Sequence, residues 1–296
     1  MARDWTSIPW GGADLKLVVA DMDGTLLDVD GRVPESFWSV LDLMRRRGVC
    51  FVPASGRQYA TLRAMFGAHN PGGSYIAENG NLVVADGSVV SVTGMDREDV
   101  RHMVDAGEEA CRSGRRDIAV VLCCPDCAYV SRDDPKVIEE ASKYYANLRV
   151  VRDLASVRET VIKVAVVDFA NAQDTADQVF AGFRGSHQVV VSGLHWVDIM
   201  DHETDKRRGV LALRQALGVA ASQTAVFGDY LNDLEMLSAG EWSFAMANAH
   251  RDLLIKARFV APSNADNGVV RVLRRLLGIS SEGAGAPVDP EREAGE

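Results

Sequence analysis

Two rhythms of apolar and polar positions run along the chain. Leu15-Lys16-Leu17-Val18-Val19-Ala20 is a short apolar run bounded by Asp21-Met22-Asp23-Gly24-Thr25, the pattern of a buried strand whose end carries carboxylates. Phe37, Val40, Leu41 and Met44 then recur at helical spacing and Gly48 follows as a stop, so a helix is predicted over roughly 35–47. A second apolar strand over 49–54 ends at Ser55-Gly56-Arg57, ahead of a helix with Tyr59, Leu62, Met65 and Phe66 on one face. A third strand over 74–77 runs into Glu78-Asn79-Gly80, and Asp86-Gly87 between two apolar runs marks a hairpin.

From about residue 86 to 191 hairpins and helices mix without parallel-sheet rhythm, which predicts an inserted α+β domain. Strand–helix alternation resumes near Trp196-Val197-Asp198-Ile199-Met200, continues through a helix at about 208–217, and reaches a strand ending at Gly228-Asp229-Tyr230-Leu231-Asn232-Asp233. The expected division is therefore an α/β core over 13–85 and 192–278 with an insert over 86–191. Residues 1–12 and the Gly-, Pro- and Glu-rich 279–296 are expected to be flexible termini.

Composition narrows the function. The formal charge of −10 argues against a nucleic-acid or anionic-membrane partner, and a local basic pocket could still hold a small phosphate. The start lacks the apolar core of a signal peptide and no run approaches a bilayer span, so the expected address is cytoplasmic; oligomeric state is not legible. Cys123-Cys124-Pro125-Asp126-Cys127 carries a lone C-x-x-C that no second pair or histidine cluster completes, so reduced structural thiols are expected.

Four strand ends carry the candidate chemistry. Asp21 and Asp23 suit a nucleophile and a general acid and base, provided a divalent cation screens the anions; a solvated acidic loop is the competing structure. Thr25 offers a hydroxyl to a phosphoryl oxygen. Ser55 and Gly56 sit near a helix start that favours an anion, although Ser55 is equally an ordinary helix cap. Lys206 could neutralise a phosphoryl group or lie in a solvated linker, and Asp229 with Asp233 suits Mg²⁺ or a capping cluster. Together they compose a phosphoryl-transfer site.

These motifs, in this order, resemble the haloacid dehalogenase superfamily. Ala54 to Tyr59, Ala77-Glu78-Asn79-Gly80, Met246-Ala247-Asn248-Ala249 and Ser263 to Val269 resemble its Cof-like, type IIB branch of sugar phosphatases. The resemblance implies a Rossmann-like parallel-sheet core with an inserted cap. It implies Asp21 as nucleophile, Asp23 as acid and base, and phosphate contacts from Thr25, Ser55, Gly56, Lys206 and Asn232. Mg²⁺ would be held by Asp21, the Asp23 carbonyl and Asp229, with Asp233 beside it. Lys206 stands three residues before Gly209 where many relatives place the lysine adjacent, which makes Arg208 a rival. The implied substrate is a small phosphorylated metabolite, sugar phosphates first; a phosphomutase and a non-catalytic phosphometabolite-binding module are the alternatives. Asn79, His195 and Trp196 are candidates for reading the leaving group.

Overall fold

A computed structural model describes residues 2–279. The larger of its two sheets has nine strands, with Leu17–Asp21 in the middle. Thr224–Gly228, Trp242–Met246 and Phe259–Ala261 lie to one side of that strand, Cys50–Ala54 and Tyr75–Ala77 to the other, all in parallel register. Five successive buried residues make Leu17–Asp21 possible only where both faces are covered. Val18 and Ala20 join the cluster of Phe37, Leu41 and Phe66, whereas Leu17 and Val19 join that of Val210, Leu213 and Leu237. Helices Glu35–Arg46 and Lys206–Leu217 thereby sandwich the strand, and its carboxyl end, where Asp21 sits, is left open to ligands.

The second sheet has six strands in the order His187–Gly193, Trp196–Asp201, Lys163–Asp168, Ile118–Cys123, Ala128–Val130 and Leu148–Val150. Every pairing in it is antiparallel except the last. Helices Arg97–Arg112 and Ala172–Gln178 cover the face holding Val120, Val164 and Val197.

Sheet membership moves both expected boundaries. Leu82–Ala85 and Ser88–Val92 extend the larger sheet as an antiparallel hairpin, so the insert begins after 92 rather than at 86. Trp196–Asp201, expected to return to the core, pairs instead with Lys163–Asp168 in the second sheet. A turn signal is local and carries no information about which sheet its strands join. The amino-terminal segment expected to be flexible is also packed. Arg3–Asp4 pairs parallel with Phe259–Ala261, Ile8 is buried, and Arg275 Nε donates to the Ile8 carbonyl at 2.5 Å. Of the expected flexible carboxyl-terminal stretch, residues 280–296 lie outside the described residues. Among the described residues no helix is long and apolar enough to cross a membrane.

Candidate active site

Asp21 ends the central strand, and the chain then leaves it through Met22–Leu26, where Gly24 takes φ +79°. A Cβ on Gly24 would collide with the Asp229 carboxylate, so glycine is required here for conformation and for approach alike. Lys206, the first residue of its helix, is 1% exposed. Its Nζ donates to Asp21 Oδ1 and, at 2.7 Å, to Asp233 Oδ1. The rival Arg208 points away, its Nη1 2.9 Å from the exposed Glu203 carboxylate. A buried lysine is tolerated only with such partners. Carboxylate oxygens of Asp21, Asp229 and Asp233 lie within 4.8 Å of one another.

The three acids differ in how their oxygens are used. Asp233 Oδ1 takes Lys206 and its Oδ2 accepts the backbone N–H groups of Asp229 at 3.1 Å and Tyr230 at 3.4 Å. It anchors the loop that presents Asp229. Thr25 Oγ1 donates to Asp229 Oδ1 at 2.9 Å, so its hydroxyl is turned toward that acid. Burial, with Asp233 adding to it, pushes Asp21 well above the usual carboxylate range despite Lys206. Burial likewise raises Asp229 to about 6, with the Thr25 hydrogen bond opposing. Hard oxygen donors crowded at that separation, with Asp21 and Asp229 held above their ordinary range, fit Mg²⁺.

Asp23, by contrast, has a side chain 61% exposed and is gripped by Arg57, which donates from Nη2 to Oδ1 at 2.6 Å and from Nε to Oδ2 at 3.2 Å. Ser55 is buried but does not cap a helix: Gln58 occupies the position before Tyr59–Phe66, and Ser55 Oγ accepts the Arg57 N–H at 3.2 Å. Its own proton remains available to a ligand. A Cβ on Gly56 would press on the Asn79 amide, whose Oδ1 lies 3.5 Å from Asn232 Nδ2. Asn248 Nδ2 donates to the Gly24 carbonyl at 2.8 Å and Asn264 Nδ2 to that of Leu27 at 2.9 Å, so both asparagines brace the loop that follows Asp21.

The sequence model of the haloacid dehalogenase-like hydrolases matches residues 18–273. The chain belongs to that family. Among its relatives, the 5-amino-6-(5-phospho-D-ribitylamino)uracil phosphatase YbjI of Escherichia coli (strain K12) is 28% identical over 281 residues, covering 89% of this chain and 96% of its own. A phosphoglycolate phosphatase of Methanopyrus kandleri is 25% identical, covering 88% and 97%. The crystal structure of SMU.1108c from Streptococcus mutans UA159 superposes with a TM-score of 0.74 at 24% identity, covering 89% and 99%. This haloacid dehalogenase-like hydrolase is a phosphoric monoester hydrolase of the Cof-like kind.

In the hydrolase, a cavity of about 520 Å³ opens above Asp21 between the two sheets. Asp23, Ser55, Gly56, Asn79, Asp229 and Asn232 line its floor, while Thr25 and Lys206 lie buried behind the carboxylates. The roof comprises Tyr144, Tyr145, Lys163, Ser192, Trp196 and Asp198. Of the candidate leaving-group residues, Asn79 and Trp196 reach the cavity; His195 does not line it, its Nδ1 standing 3.0 Å from the Asp168 carbonyl. Lys163 and Asp198 carried no motif that would have singled them out, and a charged residue inside an apolar strand, as in 161–169 and 196–200, was the one available signal; Arg57 stood in the Ser55-Gly56-Arg57 motif with no role of its own assigned. Cys123, Cys124 and Cys127 are buried free thiols, and burial lifts Cys124 to about 12, which leaves it inert.

Proposed function

We propose that the protein is a Mg²⁺-dependent phosphatase of small phosphorylated metabolites, sugar phosphates first, working through an aspartyl phosphate on Asp21. The observation that carries this reading is the convergence of Asp21, Lys206, Asp229 and Asp233 beneath a cavity into which Asp23 projects. Asp21 and Asp229, with the Asp23 carbonyl, would hold the cation, and Asp233 would position Asp229. When bound, the cation supplies positive charge that lets anionic substrate approach an anionic nucleophile.

In the first half-reaction an Asp21 oxygen forms a bond to phosphorus, the bond to the leaving oxygen breaks, and Asp23 gives that oxygen its proton. In the second, Asp23 takes a proton from the water attacking phosphorus, and the Asp21–phosphorus bond breaks to release phosphate. Lys206 keeps charge on Asp21 compensated, Ser55 and the Gly56 N–H can meet phosphoryl oxygens, and Asn232 can meet the same group from the opposite wall. Arg57 fixes the orientation of Asp23. The exposure of Asp23 leaves its carboxylate open to water, which favours hydrolysis over return of the phosphoryl group to sugar.

The test is turnover of p-nitrophenyl phosphate and a panel of hexose and pentose phosphates with Mg²⁺, with products followed by phosphorus NMR. Release of free phosphate is expected. An isomerised sugar phosphate without release would make the protein a mutase. Undiminished turnover in Asp21→Asn would remove the nucleophile assignment.

A further inference from the structure

The roof of the cavity holds a charge arrangement that the phosphoryl chemistry does not use. Lys163, 3% exposed, stands with Nζ 2.5 Å from Glu78 Oε2 and 3.6 Å from Asp198 Oδ2, and donates to the Gly56 carbonyl at 3.4 Å. Glu78 comes from the turn after Tyr75–Ala77 in the larger sheet, whereas Lys163 and Asp198 come from neighbouring strands of the smaller one. Glu78 is buried at φ +49°, a backbone conformation that non-glycine residues adopt only when the surroundings impose it. The pair therefore joins the two sheets at the substrate cavity, and one lysine faces two acids.

The second cation lining the cavity, Arg57, is already bound by Asp23. No hydrogen bond among the described residues reaches the Asp198 carboxylate, although it lines the cavity. Tyr144 and Trp196 meet edge to face at 5.2 Å beside it, and Trp196 Nε1 is held by Glu140 Oε1 at 3.0 Å. The roof thus offers an acceptor with spare lone pairs and an aromatic wall, with its one lysine shared between Asp198 and the buried Glu78.

We infer that Asp198, poised by Lys163 and through it by Glu78, selects the leaving group by charge, accepting a neutral hydroxyl-bearing group and rejecting one that carries a second anion. A polyol hydroxyl can donate to the idle Asp198 oxygen and lay its carbon chain on the aromatic wall. A carboxylate or second phosphate there would meet Asp198 with both nearby cations already neutralised. The inference rests on the phosphatase reading above for its orientation of substrate, with the phosphoryl group toward Asp21.

The experiment compares ribitol 5-phosphate with 2-phosphoglycolate on the full chain with Mg²⁺, as kcat/KM in the wild type and as Kd by calorimetry in Asp21→Asn. The wild type is expected to favour ribitol 5-phosphate by about tenfold or more, the scale of one uncompensated charge at close range. Asp198→Asn should narrow that ratio by about tenfold, chiefly through KM, and Lys163→Gln, which strips the cation from Asp198 at the cavity and from the buried Glu78 behind it, should widen it. A wild-type preference for 2-phosphoglycolate, or a ratio that stays within about twofold in both variants, would overturn the inference. The Kd ratio decides it independently of turnover. Absence of p-nitrophenyl phosphate hydrolysis in the wild type would instead count against the phosphatase reading.

Discussion

Arg57 and Asp23 meet in a two-pronged ion pair, Nη2 to Oδ1 at 2.6 Å and Nε to Oδ2 at 3.2 Å, with the carboxylate at the mouth of the cavity. A carboxylate that must give and then take a proton needs a fixed direction more than it needs burial, and a forked guanidinium supplies that direction. Asp23→Asn should therefore cut hydrolysis of a sugar phosphate by roughly 10²- to 10⁴-fold, since an alkoxide leaves poorly without a proton. Compared as kcat/KM, which reports phosphorylation of the enzyme and not the later attack by water, the loss should be much smaller with p-nitrophenyl phosphate, whose phenolate needs none. Equal losses on the two substrates would argue against the acid role. Arg57→Lys, which keeps the charge without the fork, should lie between wild type and Asp23→Asn.

Lys206 holds Asp21 and Asp233 together in a buried triad. Lys206→Met removes the compensating charge and leaves two acids facing each other, so unfolding free energy from urea titration should drop by about 3–5 kcal/mol. Turnover should fall by at least about 10³-fold even where the variant remains folded by circular dichroism. Arg208→Ala, on the solvent side of the same helix, should change stability by less than about 0.5 kcal/mol.

At Gly24 the backbone sits at φ +79° against the Asp229 carboxylate. Gly24→Ala should displace Asp229, weaken Mg²⁺ binding measured by calorimetry by at least about tenfold, and cost about 1–3 kcal/mol in stability. Gly31→Ala, at a similar φ but in open space, carries the backbone cost alone and should leave Mg²⁺ affinity unchanged.

Burial raises Asp229 to about 6 from its ordinary value of 3.8. Because the folded protein holds this proton more tightly than the unfolded chain, the metal-free protein should lose stability as pH rises from about 4 through about 6, and recover it as pH falls. Mg²⁺ needs the ionised acid, so its affinity should move the other way and weaken by about tenfold between pH 7.5 and pH 5. Thermal melts and calorimetry across that range check the two slopes. Asp229→Asn should flatten the metal-free slope.

Much of the site was legible before the fold because its chemistry is written locally. Asp21, Ser55 and Asp229 each end or follow an apolar run, and in a parallel sheet those positions share one edge whatever the details of packing, whereas Lys206 opens a helix whose preceding strand belongs to the smaller sheet. Their identity as carboxylate, hydroxyl, ammonium and carboxylate then restricts the reaction class. Gly24 was legible for the same reason, as a glycine directly after the acid pair.

What the tertiary structure alone decided is pairing across long sequence separation. Whether the strands at 82–92 and 196–201 join the larger or the smaller sheet depends on neighbours far along the chain, and their alternation is identical in either case. Asp23 with Arg57, Thr25 with Asp229, and Glu78 with Lys163 likewise lie 34, 204 and 85 residues apart, and no periodicity links such partners. The sequence by itself determined that this chain carries carboxylates, a hydroxyl and an ammonium at the ends of apolar runs and at a helix start, because side-chain chemistry and local pattern suffice for that. The roof over Asp21, and with it the contacts that can read a leaving group, exists only once the two sheets close on one another.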